Sequence, residues 1–164
     1  MSSNSSKSGL DDLSFLGRQA ERLSDLIAEQ TQALFAAAEV KIPVKSCSVM
    51  ETLAACEPAS ASDLAAKLDR SHQIVMQKLP KLIELGFIER SADPADKRRF
   101  VLRVTPLGRE QLTRLAQLTP QIAAAYRAIE AEIGPVHQQV MGMIAELESS
   151  GISERVARDK TPRN

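Results

Sequence analysis

The chain has 164 residues and is 43% hydrophobic, which suits one domain or two small lobes sharing a core and argues against wholesale disorder. Aromatic residues make up only 3% and Trp is absent, so stacking of single-stranded bases on an aromatic platform is disfavoured. The formal net charge is zero, and no apolar run approaches the roughly 18 residues a membrane span needs, so a soluble cytoplasmic protein is expected.

The opening MSSNSSKSG is polar and Ser-rich, and residues 1–10 read as a disordered tail, not a signal peptide. Leu13, Leu16, Ala20, Leu23, Ile27, Leu34 and Ala38 then recur at helical spacing, predicting a long helix that Asp11 or Asp12 caps and that Ile42, Pro43 and Val44 interrupt. A second helix is expected from Lys45 to Cys56, ended near Pro58. It carries both cysteines, Cys47 and Cys56. Nine residues apart on one helix, they face opposite sides about 13 Å apart along the axis, too far to bridge.

In SASDLAAKL, Ser60 and Asp63 form a capping box ahead of Leu64, Ala65 and Leu68. After a break at Asp69 and Arg70, Ser71 caps a further helix that lasts to Gly86. Two helices joined by so few residues make a helix-turn-helix. In the second, Val75, Leu79, Leu82 and Ile83 are expected to point inward, leaving Gln73, Gln77 and Lys81 as a polar stripe on the other face. Pro80 is expected to bend or break this helix.

Beyond Gly86 the period changes to two. FIERSA and FVLRVT read as strands of a hairpin, with Phe100, Leu102 and Val104 on one face and Val101 and Arg103 on the other. The connecting DPADKRR has Asp-Pro turn chemistry and a basic tip. Leu112, Leu115, Ile122, Ala125, Ile129 and Ile133 then mark a long helix kinked at Pro120. Pro135 opens a last helix carrying Val136, Val140, Met143, Ile144 and Leu147 and closed near Gly151.

The zero net charge is unevenly spread. From Asp63 to Arg109 there are ten basic side chains against six acidic ones, so this middle part is the candidate anion-facing surface. A polar helical stripe alone is usually just a solvated face, but a basic hairpin beside it matches duplex DNA. Gln pairs with an adenine edge in the major groove, and an arginine on a protruding finger reads the minor groove. Ser71, His72, Gln73, Gln77, Lys78 and Lys81 on the helix, with Asp96, Lys97, Arg98 and Arg99 on the hairpin, are the candidate DNA-binding residues.

The segments S-x-x-D-L-A at Ser60 to Ala65, L-x-x-x-G-F-I-E-R at Leu82 to Arg90, and DPADKRRFVLRVTPLG at Asp93 to Gly108 resemble the MarR family of bacterial winged-helix transcriptional regulators. The last segment fits that family's D-x-R and L-T-x-x-G pattern at Asp96, Arg98, Thr105 and Gly108, with Val104 in place of Leu. The resemblance implies a mainly α fold with a small β hairpin, in which a winged helix-turn-helix lobe (44–108) is flanked by dimerisation helices (11–43 and 109–160). It implies that Arg98 enters the minor groove with Asp96 orienting it. It also implies a homodimer on a pseudo-palindromic operator, acting as a repressor that responds to a small-molecule effector or an oxidant. Met76 and Gln77 depart from the Ser or Thr followed by Arg found in many relatives, so base preference does not carry over.

Cys47 and Cys56 are the candidate redox sensors, with ordinary partly buried cysteines as the plainer reading. His72, His137 and the cysteines lack metal-ligand spacing, and no Gly-rich phosphate loop or paired carboxylates occur. No metal, no cofactor and no enzymatic activity are expected. A winged-helix module that binds protein instead of DNA is the alternative.

Overall fold

A computed structural model describes residues 12–93 and 99–159. The chain forms two compact units, one through Leu118 and one from Thr119 onward. The expected tail, Asp11, and the hairpin tip at 94–98 lie outside the described residues.

In the first unit the Asp12 carboxylate accepts from the Ser14 amide at 2.9 Å and caps a 3-10 turn, Leu13–Phe15, which leads into α1, Leu16–Ala37. The sequence predicted one continuous helix here. Of α1 only Thr31 and Phe35 are buried, and most of the apolar stripe, including Leu16, Leu23 and Leu34, is exposed. Glu39 takes a positive φ of 53° as the chain turns, and the Val40 amide donates back to the Phe35 carbonyl at 2.8 Å, satisfying a helix-end acceptor.

A 3-10 turn at Val44–Ser46 starts the second predicted helix, and α2, Cys47–Cys56, completes it with Val49, Met50 and Leu53 in the core. The two cysteines occupy its first and last positions. Ser60 caps α3, Ala61–Lys67, and the predicted box is closed: the Ser60 hydroxyl accepts from the Asp63 amide at 3.2 Å, and Asp63 accepts from the Ser60 amide at 2.9 Å. Asp69 and Arg70 make the turn. The Ser71 hydroxyl then accepts from the Ile74 amide at 3.3 Å to open α4, His72–Glu84, and Gly86 takes a φ of 72° just beyond its end.

Val75, Leu79 and Leu82 of α4 are buried as predicted, but Ile83 is 40% exposed. At 100° per residue Ile83 lies about 40° beyond Leu79, outside the arc that Leu82, Val75 and Leu79 span, so it borders the core instead of entering it. Pro80 does not break the helix. Its missing amide removes one hydrogen bond, while the three buried side chains around it hold the axis together.

Strands β1, Ile88–Ala92, and β2, Phe100–Val104, pair antiparallel with Ile88 opposite Val104 and Arg90 opposite Leu102. Strict alternation fails in β2: Val101, Leu102 and Val104 are all buried and Phe100 is 49% exposed. The reason is tertiary. The Ala59 backbone exchanges hydrogen bonds with Leu102 at 2.9 and 3.3 Å on the strand's free edge, and α2 packs against β2, so the base of the hairpin is covered on more than one side.

Thr105 joins the hairpin to α5, Pro106–Ile133. Its hydroxyl donates to the Gly86 carbonyl at 2.6 Å and accepts from the Gly108 amide at 3.0 Å, while its own amide donates to the Phe87 carbonyl at 3.0 Å. Pro106 follows at the first helical position, where no amide is needed. Glu57, only 13% exposed at its side chain, accepts from the Val104 amide at 2.5 Å and pairs with Arg109. The buried Gln111 carboxamide accepts from the Lys41 amide at 2.6 Å, so the base of α5 is tied to the segment after α1.

In the second unit α5 continues through Pro120, Gly134 at a φ of 98° ends it, and α6, Val136–Ser149, follows with Pro135 at its N-cap. A further helix, α7, Ile152–Asp159, lies beyond the last predicted one. No described side chain from Thr119 onward is buried, and Ile129, Ile133, Val140, Met143, Ile144 and Leu147 are all exposed. Among the described residues no helix is long and apolar enough to cross a membrane.

Candidate nucleic-acid interface

Burial of Val75, Leu79 and Leu82 turns the opposite side of α4 outward, and this exposed side carries Gln73 and Gln77 one turn apart. Exposed Ile74 and Met76 flank them. His72 is exposed at the helix start, and the hydroxyl of Ser71 is used as the cap.

The lysines are less free than the sequence implied. The Lys81 ammonium lies 2.8 Å from Glu84 in an exposed pair, which water and salt weaken readily. Lys78 is half-buried and donates to the Lys45 carbonyl, and burial, with Lys45 and Arg70 nearby, lowers its pKa. Lys45 in turn contacts Asp25 of α1 at 2.5 Å. Lys78 thus fastens α4 to the α1–α2 junction.

Of the hairpin candidates, Asp96, Lys97 and Arg98 lie outside the described residues. Arg99 is exposed at the start of the returning strand, its guanidinium 4.0 Å from Asp63. Hydrogen bonds from the Ser60 hydroxyl and amide hold the Asp63 carboxyl below the usual carboxylate range.

Arg90 is a residue the sequence reading passed over. Its guanidinium lies over the Phe100 ring, 3.7 Å from the centroid. Arg90 pairs with Leu102 and Ala92 with Phe100, so this is a diagonal cross-strand contact that register alone would have revealed. The pair borders a cleft of about 380 Å³ between α4 and the hairpin, which Ser62, His72, Met76 and Arg99 also line.

The cysteines stay apart as expected and neither forms a disulfide. Burial and the nearby Glu51 carboxylate push the Cys47 thiol up to about 11. At neutral pH its thiolate is then about a hundredfold rarer than for an ordinary thiol with a pKa of 9.0. Cys47 should accordingly react with iodoacetamide at pH 7 about a hundredfold more slowly than an unstructured cysteine peptide, as followed by intact mass. A rate equal to the peptide's would contradict this environment. No three His, Cys, Asp or Glu among the described residues could together hold a metal ion.

Two helices joined by a tight turn, followed by an antiparallel hairpin locked to the same lobe, define a winged helix-turn-helix protein. The model of the MarR family matches residues 43–100, the winged segment. Among solved structures, a probable transcriptional regulator from Pseudomonas aeruginosa is 26% identical over 84% of this chain and 97% of its own, with a TM-score of 0.58. The PcaV transcriptional regulator from Streptomyces coelicolor, in complex with its natural ligand, is 18% identical over 88% of this chain and 97% of its own, at 0.64. MepR from S. aureus, in complex with DNA, is 18% identical over 85% of this chain and 98% of its own, at 0.61. No protein of curated function matches the chain.

Proposed function

We propose that this chain is a sequence-specific transcriptional regulator that binds double-stranded DNA as a homodimer in the cytoplasm. Residues 44–108 are the reading lobe, and the helices within 11–43 and 109–160 are the pairing surfaces. The observation that carries the reading is the exposed Gln73–Gln77 face of α4, buried on its other side in the lobe that also holds the basic hairpin. Gln73 and Gln77 meet base edges in the major groove, with His72 and Lys81 beside them at phosphate or base. Arg98, supported by Asp96, reads the adjacent minor groove, and Lys97 and Arg99 meet phosphate.

The exposed apolar residues of α1 and α6 support pairing, since a surface of this kind is ordinarily covered by a second chain. A two-fold pair sets two α4 helices about 34–36 Å apart, one turn of duplex. The protein acts as a repressor that an effector releases by shifting the separation of the two lobes. The raised Cys47 pKa disfavours that residue as an oxidant sensor, and PcaV, of similar fold, is solved with its natural ligand.

Selection of bound sequences from a random duplex pool tests this. The expected result is an enriched pseudo-palindrome whose affinity falls steeply with salt as phosphate contacts release counterions. Recovery of an unenriched pool would refute sequence-specific binding, and retention insensitive to salt would favour the protein-interaction alternative.

A further inference from the structure

We propose that the Arg90 guanidinium, stacked on Phe100 between α4 and the hairpin, is a phosphate clamp for the single DNA strand that separates the major groove read by α4 from the minor groove read by the hairpin tip. The proposal rests on the DNA-binding reading above and adds a residue and a ligand atom to it. In a duplex, one sugar–phosphate strand divides each major groove from the minor groove beside it. A protein that places a helix in one and a hairpin in the other must lay the surface between them against that strand. Here that surface is the cleft lined by His72, Arg90 and Arg99.

Arg90 is the best prepared of the three. Among the described residues no ion pair with a carboxylate is found for it, whereas Arg99 has Asp63 at 4.0 Å. The Arg90 guanidinium carbon lies over the Phe100 ring, 3.7 Å from its centroid, and this contact uses none of the edge donors. A stacked arginine presents that fork with little rotamer entropy left to lose, and the fork fits two phosphate oxygens. Ring exposure fits as well: Phe100 sits half-exposed at the end of a strand whose next two residues are buried, so the ring is available as a platform on the cleft side.

The test uses the full chain and the duplex enriched by the pool selection. Arg90→Gln should weaken binding about tenfold or more, the usual weight of a charged hydrogen bond. It should also flatten the slope of log affinity against log salt by about 0.9 per protomer. Phe100→Leu keeps the charge, so the slope should hold while affinity drops about two- to fivefold, the worth of an exposed cation–π contact. Replacing one phosphate at a time by uncharged methylphosphonate should locate a position in each half-site whose neutralisation weakens the wild-type protein but costs Arg90→Gln nothing further. An unchanged salt slope in Arg90→Gln, or losses that simply add at every phosphate, would overturn the clamp while leaving the DNA-binding reading intact. Failure of the wild-type chain to bind the enriched duplex would overturn both.

Discussion

Gly108→Ala should destabilise the protein by about 3 kcal/mol or more, although exchanging Gly for Ala inside a helix ordinarily gains about 1 kcal/mol. Gly108 is the third residue of α5, and a Cβ built there would sit 2.1 Å from the Phe87 carbonyl oxygen and 2.8 Å from a Val104 methyl. Neither contact is the loose end of a flexible side chain. The Phe87 oxygen is main chain and already accepts the Thr105 amide, so relief requires moving the first turn of α5 away from the start of β1. That movement would pull on the Thr105 hydroxyl, which bridges Gly86 and Gly108. Urea titration followed by circular dichroism measures the effect. An unchanged or raised midpoint would show that helix and strand do not approach this closely.

The second large effect concerns assembly. The double substitution Leu16→Asp with Leu23→Asp should convert the proposed dimer to a monomer without unfolding the first unit, because both side chains are exposed and lie outside its core. Four carboxylates would then face one another across a two-fold interface, and burying them unpaired is prohibitive. Sedimentation velocity should show halved mass. Operator affinity should fall by about 10²–10⁴, since linking two half-site contacts contributes an enhancement of that order. A variant that sediments as a dimer would place the pairing surface elsewhere.

Local chemistry was the most legible part of the sequence. The Ser60–Asp63 box and the Ser71 cap are decided within three residues of themselves, and both have the expected hydrogen bonds. The helix-turn-helix and the hairpin follow from those caps, from Gly86 and from the switch of apolar period. What the sequence hid was set by distant partners. Glu57 looked like the mere end of a helix, because Val104 and Arg109 lie 47 and 52 residues further along.

Lys78 was a candidate DNA contact from its place on α4, and its hydrogen bond to a carbonyl 33 residues earlier is one that no periodicity announces. Val101 looked outward-facing because alternation assumes one covered face, and β2 is covered more widely than that. Gly108 read as a motif residue, while its physical reason, the Phe87 carbonyl against its α-carbon, needs the fold to be seen. The α7 segment, ISERVARD, offers only Ile152 and Val156 as apolar periodic residues, too few to separate a helix from a solvated end. Of the DNA-facing candidates, the α4 residues could be placed by pattern, whereas Arg90 depended on strand register.

The Glu57 carboxylate also decides what can be transplanted. Strands β1 and β2, excised alone and grafted to a foreign scaffold, would arrive with the Val104 amide lacking its acceptor and Arg109 left behind. A portable hairpin therefore has to bring Glu57 and Arg109 with it, together with the α2 helix that packs on β2, and a chimera cut at the strand ends would sit on a loosened hinge.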